Sequence, residues 1–473
     1  MLPENVDFGA EVLSNYSRNT FRIEPNSSTS ATAGRVIQIT LPENSVLDMK
    51  SLRMFMRVTT TKGVASGPHD VLALLPANIE GLISSIEVYV NGVQVAQGSN
   101  EYNTICKVVK LGAYNQDAQF SSGVLVNHAK MVGSLNGVIP AEIFGDDLSG
   151  NGENGDVCID NWCNFLGTTA TRFIPTDVLG SITIKITLAS DAVLSGAILG
   201  KNTTDPSLNN MVSNPSYKIE NPYFTIDSCV LPEAYNELLR RRLMQDEYLP
   251  LNYTEYYTFI NSGITGSSYS NRFALSSGCI NSLHAVQRLD SHNVFGAATD
   301  LAPLTGARAP VGATGVNREG KFFIYKTFKA AADYNDGIFK YQFNINNVNM
   351  PQFLATNKFA MANLPYVNNK LTPKTQGILV TGETAFCQAQ AVYTCQLSHP
   401  DLSSKVMSGL NSRGINSQFY FSAQGLDTTQ LGSGMSSVVI ASTTAQLRIS
   451  AGRQVSVIWW ETNKHLALMK DLE

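Results

Sequence analysis

Apolar and polar residues alternate with a period of two along much of the chain, and this pattern predicts β-strands. It is clearest in RVIQITL at residues 35–41, in LRMFMR at 52–57 and in ITIKITL at 182–188. One set of side chains is apolar and the other mostly polar, as in strands with one face on a core. Asn91-Gly92 separates two further runs and predicts a two-residue hairpin, because both residues tolerate positive φ.

The second half of the chain has the same character. Strands are predicted at 253–259, within 271–289, at 322–328, at 339–348 and at 419–423, and a final pair at 445–459 turns at Ala451-Gly452. Short helices are predicted at 100–111 and at 400–412, while 372–382 is rich in turn residues. The two halves therefore resemble each other in the order of their elements, although no residue-level repeat relates them.

The segment 221–259 lies between the two β-rich halves. It begins as a strand, and Pro232 then suits the first turn of a helix. Tyr235, Leu239 and Leu243 recur at i, i+4 and i+8, which gives this helix one apolar face. Periodicity alone also allows a surface helix on one large β domain. The length of 473 residues favours two domains, because one core rarely holds more than about 300 residues.

These signals divide the chain into five parts. They are an N-terminal arm at 1–33, a first β domain at 34–230, a joint helix at 231–250, a second β domain at 251–460 and a C-terminal tail at 461–473. The arm has little periodicity and many small polar residues. It is either a frayed terminus or a segment that becomes ordered against neighbouring subunits.

Charge is scarce. Asp, Glu, Lys and Arg make up 15% of the residues, against about 25% in an ordinary soluble domain, and the net charge is −4. The polar surface must come from Ser, Thr, Asn, Gln and Gly, which cost less to desolvate than charges and so suit extensive protein–protein burial. Without a basic tail, nucleic-acid binding as a main role is unsupported.

The seven cysteines are odd in number and scattered, and no two form a CxxC pair. This pattern predicts reduced thiols rather than a disulfide framework. The opening MLPENVDFGAEV has neither the basic nor the apolar region of a signal peptide, and no run of about 18 apolar residues predicts a membrane span.

No residues form a recognisable catalytic or metal-binding constellation. The loop with Asp146, Asp147, Asn151, Asn154 and Asp156 suggests calcium but lacks the ligand spacing of an EF-hand. We therefore predict no catalytic, metal or cofactor site and no enzymatic activity.

The remaining candidates are weaker still, and each has a simpler explanation. Cys158 and Cys163 have no second Cys/His pair nearby, as zinc would require, and His284 and His292 match no ligand spacing. The run Arg240–Arg242 suggests phosphate binding, but basic residues at a helix C-terminus more often interact with the helix dipole.

Three stretches resemble double jelly-roll major capsid proteins, closest to those of polinton-like viruses, virophages and adintovirus-type elements (the PRD1–adenovirus lineage). The first, near the start of the chain, is LPENSVLDMKSLRMFMRV followed by LPANIEGLISSIEVYVNGVQVAQG. The second, at the joint, is FTIDSCVLPEAYNELLRRRL followed by YLPLNYTEYYTF. The third, early in the second half, is NRFALSSGCINSLHAVQRL. Together they cover about a quarter of the chain. The resemblance implies an all-β fold of two eight-stranded jelly-roll sandwiches in tandem, with a short helix at the joint and long loops at 112–164, 191–216, 290–320 and 350–380.

The resemblance also implies a function. It predicts a structural protein whose homotrimers form pseudo-hexameric capsomers and tile the icosahedral shell of a double-stranded DNA virus. The expected partners are further copies of the chain, penton proteins and minor or cement capsid proteins, and the expected location is the virion. The alternatives are a penton or fibre protein of a virion, a carbohydrate-binding β-sandwich, or a glycosidase with two carboxylates facing one cleft.

Overall fold

The structure is a computed structural model, and a defined set of residues in it is described below. They are 17–26, 29–61, 64–65, 70–76, 79–97, 101–111, 154–169, 173–199, 212–213, 216–230, 248–293, 321–329, 338–371, 390–398, 409–413, 418–450 and 452–458, with Glu237, Arg241, Met244 and Cys387. Among these residues, no helix is both long and apolar enough to span a membrane.

The first half contains fourteen of the described strands. They are β1 (Ser17–Ile23), β2 (Ser30–Thr32), β3 (Val36–Thr40), β4 (Val46–Thr61), β5 (Val64–Ala65), β6 (Asp70–Leu74), β7 (Ile83–Val90), β8 (Val93–Gln97), β9 (Asn154–Ile159), β10 (Phe173–Pro175), β11 (Ile182–Leu188), β12 (Ser195–Leu199), β13 (Val212–Ser213) and β14 (Ser216–Val230). Sheet 1 has the order β1-β14-β4-β10, with β2 also on β14 and β9 also on β4. Sheet 2 has the order β3-β11-β7-β8, and β12–β6 and β13–β5 form two small ribbons.

The second half contains the other nine described strands. They are β15 (Tyr248–Ile264), β16 (Ser268–Phe273), β17 (Ile280–Leu289), β18 (Lys340–Ile345), β19 (Val348–Ala355), β20 (Val392–Gln396), β21 (Phe419–Gln424), β22 (Met435–Ser450) and β23 (Gln454–Ile458). Sheet 3 has the order β15-β22-β17-β20, with β23 also on β22, and sheet 4 has the order β16-β21-β18-β19.

The described helices are few. The α-helices are α1 (Tyr102–Lys110), α2 (Phe165–Thr168), α3 (Thr176–Leu179) and α4 (Asn357–Leu371). Single 3₁₀ turns occupy Ile79–Leu82, Asp191–Val193, Asp290–Asn293, Lys321–Phe323 and Thr428–Gln430. The helix predicted at 100–111 is thus confirmed as α1, whereas the one predicted at 400–412 lies mostly outside the described residues.

Early and late strands pair in the same nested way in both halves. In the first half β4 pairs with β14 and β3 with β11, and in the second half β15 pairs with β22 and β16 with β21, all antiparallel. Such nesting winds the chain into two packed sheets, which is the jelly-roll arrangement. The fold is therefore all-β, with two jelly rolls in tandem. Edge additions such as β1, β2 and β23 bring the strand number of each sandwich above the expected eight.

Period-two alternation decides which face of each strand meets the core. Leu52, Met54 and Met56 on β4 are buried, while Arg53, between the first two, and Arg57, after the third, are exposed. The predicted hairpin is confirmed, because Asn91 and Gly92 have φ of 47° and 81° and connect β7 to β8. These positive φ values give the turn the twist that joins the two strands without splaying them.

The core of the second sandwich is aromatic. Tyr393 of sheet 3 lies with its ring centroid 4.6 Å from that of Tyr341 and 5.7 Å from that of Phe421, both of sheet 4. Phe343 packs on Phe421 at 5.0 Å. Large rings such as these remove much apolar surface from water and fix the spacing between the two sheets.

Several elements differ from the sequence-based prediction. The second β-rich run begins at Tyr248 rather than Tyr253, so Pro250 lies inside β15, at the edge of sheet 3, where the ladder tolerates proline. The segment 350–380 was expected to be a loop, but it contains most of β19 and all of α4. The expected strand at 322–328 is a 3₁₀ turn followed by an isolated bridge between Tyr325 and Gln390.

Two further expectations lie partly outside the described residues. At the predicted joint helix, Glu237, Arg241 and Met244 are helical and exposed, and the rest of 231–247 is not described. Part of the loop expected at 112–164 forms β9, its last residue Asn164 precedes α2, and 112–153 is not described.

Candidate functional site: the buried junction between the jelly rolls

The two halves meet around α1, which follows the β7–β8 hairpin. All nine residues of α1 are buried. A helix on a single sandwich would expose its polar face to water. Here one side of α1 contacts β7 and the 3₁₀ turn Ile79–Leu82 in the first half, and the helix also contacts α4 in the second half. Its polar residues must therefore find partners within the protein.

The first such contact is an ion pair between Glu101, which immediately precedes α1, and Arg288 on β17. Both carboxylate oxygens of Glu101 accept from the guanidinium group, one of them at 2.9 Å. The Arg288 guanidinium also lies over the ring of Phe322, 4.2 Å from its centroid. The side chains of Arg288 and Glu101 are 3% and 13% exposed, so the pair is almost dry. A bidentate ion pair of this kind fixes the relative orientation of the two side chains as well as their positions.

The second contact is made by Lys107, in the second turn of α1. Its Nζ donates to the backbone carbonyl oxygen of Phe323 at 3.0 Å. The rings of Phe323 and Tyr325 lie with their centroids 5.7 Å and 5.5 Å from the same nitrogen. Burial lowers the pKa of Lys107 to about 7, because desolvation disfavours the ammonium form.

The third contact is at the C-terminal end of α1. Carbonyl groups in the last turn of a helix have no partner within it. Here Asn368 of α4 donates its side-chain amide to the carbonyl oxygens of Val108, at 2.9 Å, and Leu111. The amide oxygen of Asn368 lies 2.9 Å from Nε2 of His284 on β17. A side chain of the second half thus caps a helix of the first.

Further contacts extend the junction to α2 and the hairpin turn. Phe165 packs edge-on against Tyr253 of β15, with ring centroids 5.2 Å apart, and the Tyr253 hydroxyl donates to the carbonyl oxygen of Val95 at 2.9 Å. The Nδ2 group of Asn91 donates to the carbonyl oxygen of Arg453 at 2.6 Å. The two jelly rolls are therefore joined by aromatic packing and by hydrogen bonds between distant segments.

The residues considered for calcium and zinc are not brought together. Asp146, Asp147 and Asn151 lie outside the described residues, and Asn154 and Asp156 belong to β9. Cys158 is also on β9, whereas Cys163 contacts Cys106 of α1, with 3.2 Å between the sulfur atoms. Within the described part of the chain, no group of three or more His, Cys, Asp or Glu side chains is arranged to hold a metal ion.

The histidine and arginine candidates take structural places. His284 is buried in the junction, and burial lowers its pKa to about 4. His292 is buried in the 3₁₀ turn that follows β17. Arg241 lies 3.7 Å from Glu237 in an exposed i,i+4 pair, and Arg240 and Arg242 are not described.

Sequence reasoning missed the second-half side of the junction. The run 359–364 (FAMANL) is rich in helix formers and signals α4, but Pro365 within the same helix obscured it. The apolar run at 322–328 predicted a strand because aromatic and β-branched residues favour strands. It is instead buried against α1 and Arg288, and its only bridge among the described residues is the isolated one between Tyr325 and Gln390.

Comparison with known proteins finds similarity in structure but not in sequence. No family model matches the chain, and no curated protein matches it in sequence. Among solved structures, it is similar to PBCV-1 VP54 as fitted into a reconstruction of the virophage Sputnik, at 15% identity and a TM-score of 0.56 over 95% of this chain and 98% of that one. It is also similar to the Faustovirus major capsid protein, at 9% identity and a TM-score of 0.54 over 94% and 92% of the two chains.

A chain in the 3.5 Å structure of the Sputnik virophage is similar over a comparable span. It shares 11% identity and a TM-score of 0.51, over 97% of this chain and 92% of that one. At such identities the likeness concerns the fold and its connectivity. The protein therefore has the double jelly-roll fold of these viral proteins.

Proposed function

We propose that this chain is a structural major capsid protein whose trimers form the pseudo-hexameric capsomers of an icosahedral viral shell. The observation that carries the proposal is the buried junction, which joins two jelly rolls through Glu101–Arg288, Lys107–Phe323 and Asn368. Three copies of a unit with two such sandwiches supply six similar bodies around one threefold axis. The fold likeness to viral capsid proteins over more than nine-tenths of the chain supports the same reading.

The role is structural rather than enzymatic. The partners would be further copies of the chain, then penton proteins and minor or cement proteins, and the location would be the virion. We retain the five-part division of the chain within this proposal, except that the joint ends before Tyr248, where β15 and the second jelly roll begin. Low charge agrees with the role, because uncharged polar surface is desolvated at lower cost in repeated contacts.

Exposed apolar side chains indicate where neighbouring copies of the chain would contact each other. Five large apolar residues that are exposed in the described part of the chain lie on or beside the β18–β19 hairpin and α4: Ile338, Val348, Phe353, Leu354 and Tyr366. β19 is also an edge of sheet 4 and carries no charged residue. An uncharged apolar edge invites association. We infer that it faces a neighbouring copy in the capsomer.

The native mass of the purified protein tests the proposal. We expect a stable species of three chains of 51.3 kDa each by light scattering on a sizing column, with near-hexagonal particles in negative stain. A protein that stays monomeric at high concentration would contradict the capsomer role. A pentamer would indicate a penton protein instead.

The apolar edge is tested separately. The double variant Phe353→Ser, Leu354→Ser should shift the population from trimer to folded monomer. Ile260→Ser is the control, because Ile260 is similarly exposed but lies on β15, away from that hairpin. Equal trimer content in all three proteins would remove this edge from the interface without affecting the capsomer proposal.

A further inference from the structure

Two thiol groups meet at the junction. Cys106 lies in the middle of α1, and Cys163 lies two residues before α2. The thiol of Cys106 donates to Sγ of Cys163 at 3.2 Å. A disulfide bond holds its sulfur atoms about 2.05 Å apart, so the two atoms need to approach by only about 1.1 Å.

The surroundings make the two thiols chemically unequal. The hydrogen bond from Cys106 and the nearby ammonium group of Lys110 lower the pKa of Cys163, against the opposing effect of burial. Burial raises the pKa of Cys106. Lys110 keeps its charge because it pairs with Glu80, a buried carboxylate. Negative charge on this thiol pair therefore resides on Cys163, and a thiolate is the nucleophilic form of cysteine.

Both residues are buried at the junction, with Cys163 6% exposed and Cys106 2% exposed. The backbone N–H of Cys163 donates to the Tyr102 hydroxyl oxygen at 2.9 Å, which holds this residue against α1. The geometry thus supplies a nucleophile and, in contact with it, a second thiol.

We propose that Cys106 and Cys163 form a redox-active pair that closes into a disulfide on exposure to hydrogen peroxide. In the first step the Cys163 thiolate attacks one oxygen of the O–O bond. The sulfur gives up two electrons and becomes a sulfenic acid, and the leaving hydroxide takes a proton to form water. In the second step the sulfur of Cys106 attacks the sulfenic sulfur. The disulfide forms as the S–OH bond breaks, and the hydroxide leaves as water with the Cys106 proton.

The disulfide would act on the junction. It closes a loop between residues 57 apart in sequence. One end of this loop is α1, which bears Lys107 and is capped by Asn368, and the other end leads into Phe165 and α2, which pack on β15. A cross-link there reduces the freedom of the unfolded chain and ties together two of the first-half segments that contact the second half. This inference does not depend on the proposed function.

Peptide mapping tests the pair directly. The purified full-length protein is treated with hydrogen peroxide, alkylated with N-ethylmaleimide and digested without reductant. We expect a linked peptide that joins Cys106 to Cys163, a rise of a few degrees in the melting temperature, and reversal of both by dithiothreitol.

Three variants make the result specific. Cys163→Ser should give no linked peptide and no shift in melting temperature. Cys106→Ser should leave the Cys163 sulfenic acid unresolved, so that dimedone labels it. Cys395→Ser, a buried cysteine of β20 in the second half, should behave as the wild type. A folded wild-type protein that yields no such linked peptide, or links Cys163 to a different cysteine, overturns the proposal.

Discussion

Nε2 of His284 lies 2.9 Å from Oδ1 of Asn368, and the same Asn368 amide donates to the last carbonyl groups of α1. Because the amide nitrogen serves those carbonyls, its oxygen faces the histidine and accepts a hydrogen bond from Nε2–H. The other ring nitrogen, Nδ1, is buried without a hydrogen-bond partner among the described residues. A proton added there would charge the ring inside the junction.

This relationship makes stability depend on pH. Burial lowers the pKa of His284 to about 4 in the folded protein, from 6.5 when it is exposed. As the pH falls from 6.5 to 4, the unfolded chain gains a proton that the folded one does not accept. The folded state should therefore lose up to about 3 kcal/mol over this window, whereas above pH 6.5 the histidine has no effect.

The variant His284→Gln provides the measurement. Its amide can still donate to Asn368 but does not titrate. Urea unfolding of both proteins at pH 7.5, 5.5 and 4.5 should show a steeper loss of stability in the wild type. Parallel pH profiles would show that His284 has the same pKa in the folded and unfolded states, and would contradict the effect of burial.

The Glu101–Arg288 ion pair should behave as a unit. Replacing either partner alone, as in Glu101→Gln or Arg288→Met, leaves a buried charge uncompensated and should lower the free energy of unfolding by about 3–5 kcal/mol. The double variant should recover much of that loss, because neither charge remains. Chemical unfolding of the four proteins gives the coupling free energy.

A second buried ion pair serves as the control that distinguishes an effect on the junction from a general loss of stability. Lys110 and Glu80 are equally buried, at 7% and 6% side-chain exposure, but both belong to the first half. Lys110→Met should destabilise that half without opening the junction. Limited proteolysis should therefore cut between the halves in the Arg288→Met variant and not in Lys110→Met. Identical fragments from both variants would contradict a specific role of Arg288 at the junction.

Gly425, which follows β21, should not tolerate a side chain. Its φ is +78°, and an added Cβ would lie 2.1 Å from the carbonyl oxygen of Ile338. Gly452 has the same φ of +78°, but nothing lies within 4 Å of its added Cβ. Gly452→Ala should cost about 1–2 kcal/mol from backbone strain alone, and Gly425→Ala about 1–3 kcal/mol more. Thermal unfolding of both variants measures the difference, and equal losses would refute the steric account.

The N-terminal segment allows a test of assembly. β1 pairs with β14 and is held by Arg18, which contacts Asp227 and Asp48, yet six of its seven residues are exposed. It therefore adds little to the core. Deletion of residues 1–25 should leave folded trimers intact while shell assembly drops, if this segment links neighbouring capsomers. Unchanged assembly, measured by electron microscopy and sedimentation, would rule out that linking role.

Local sequence patterns predicted the elements that have one face exposed to solvent. Leu52, Met54 and Met56 alternate because β4 has solvent on one side, and Asn91-Gly92 predicted its hairpin because the turn needs positive φ at both positions. The strand predicted at 322–328 was wrong. These residues are buried by α1 and Arg288, so no alternation distinguishes a strand from an irregular segment there.

The sequence by itself determined the two β-rich halves and the main strands, because these depend on patterns among residues a few positions apart. It also determined the low charge, which is a property of composition. Only the tertiary structure decided the junction. Glu101 meets Arg288 across 187 residues, and Asn368 reaches Val108 across 260. Cys106 likewise meets Cys163 instead of pairing with a near neighbour. The first two contacts follow from the packing of one folded half on the other and the third from packing within the first half, and no local periodicity records them.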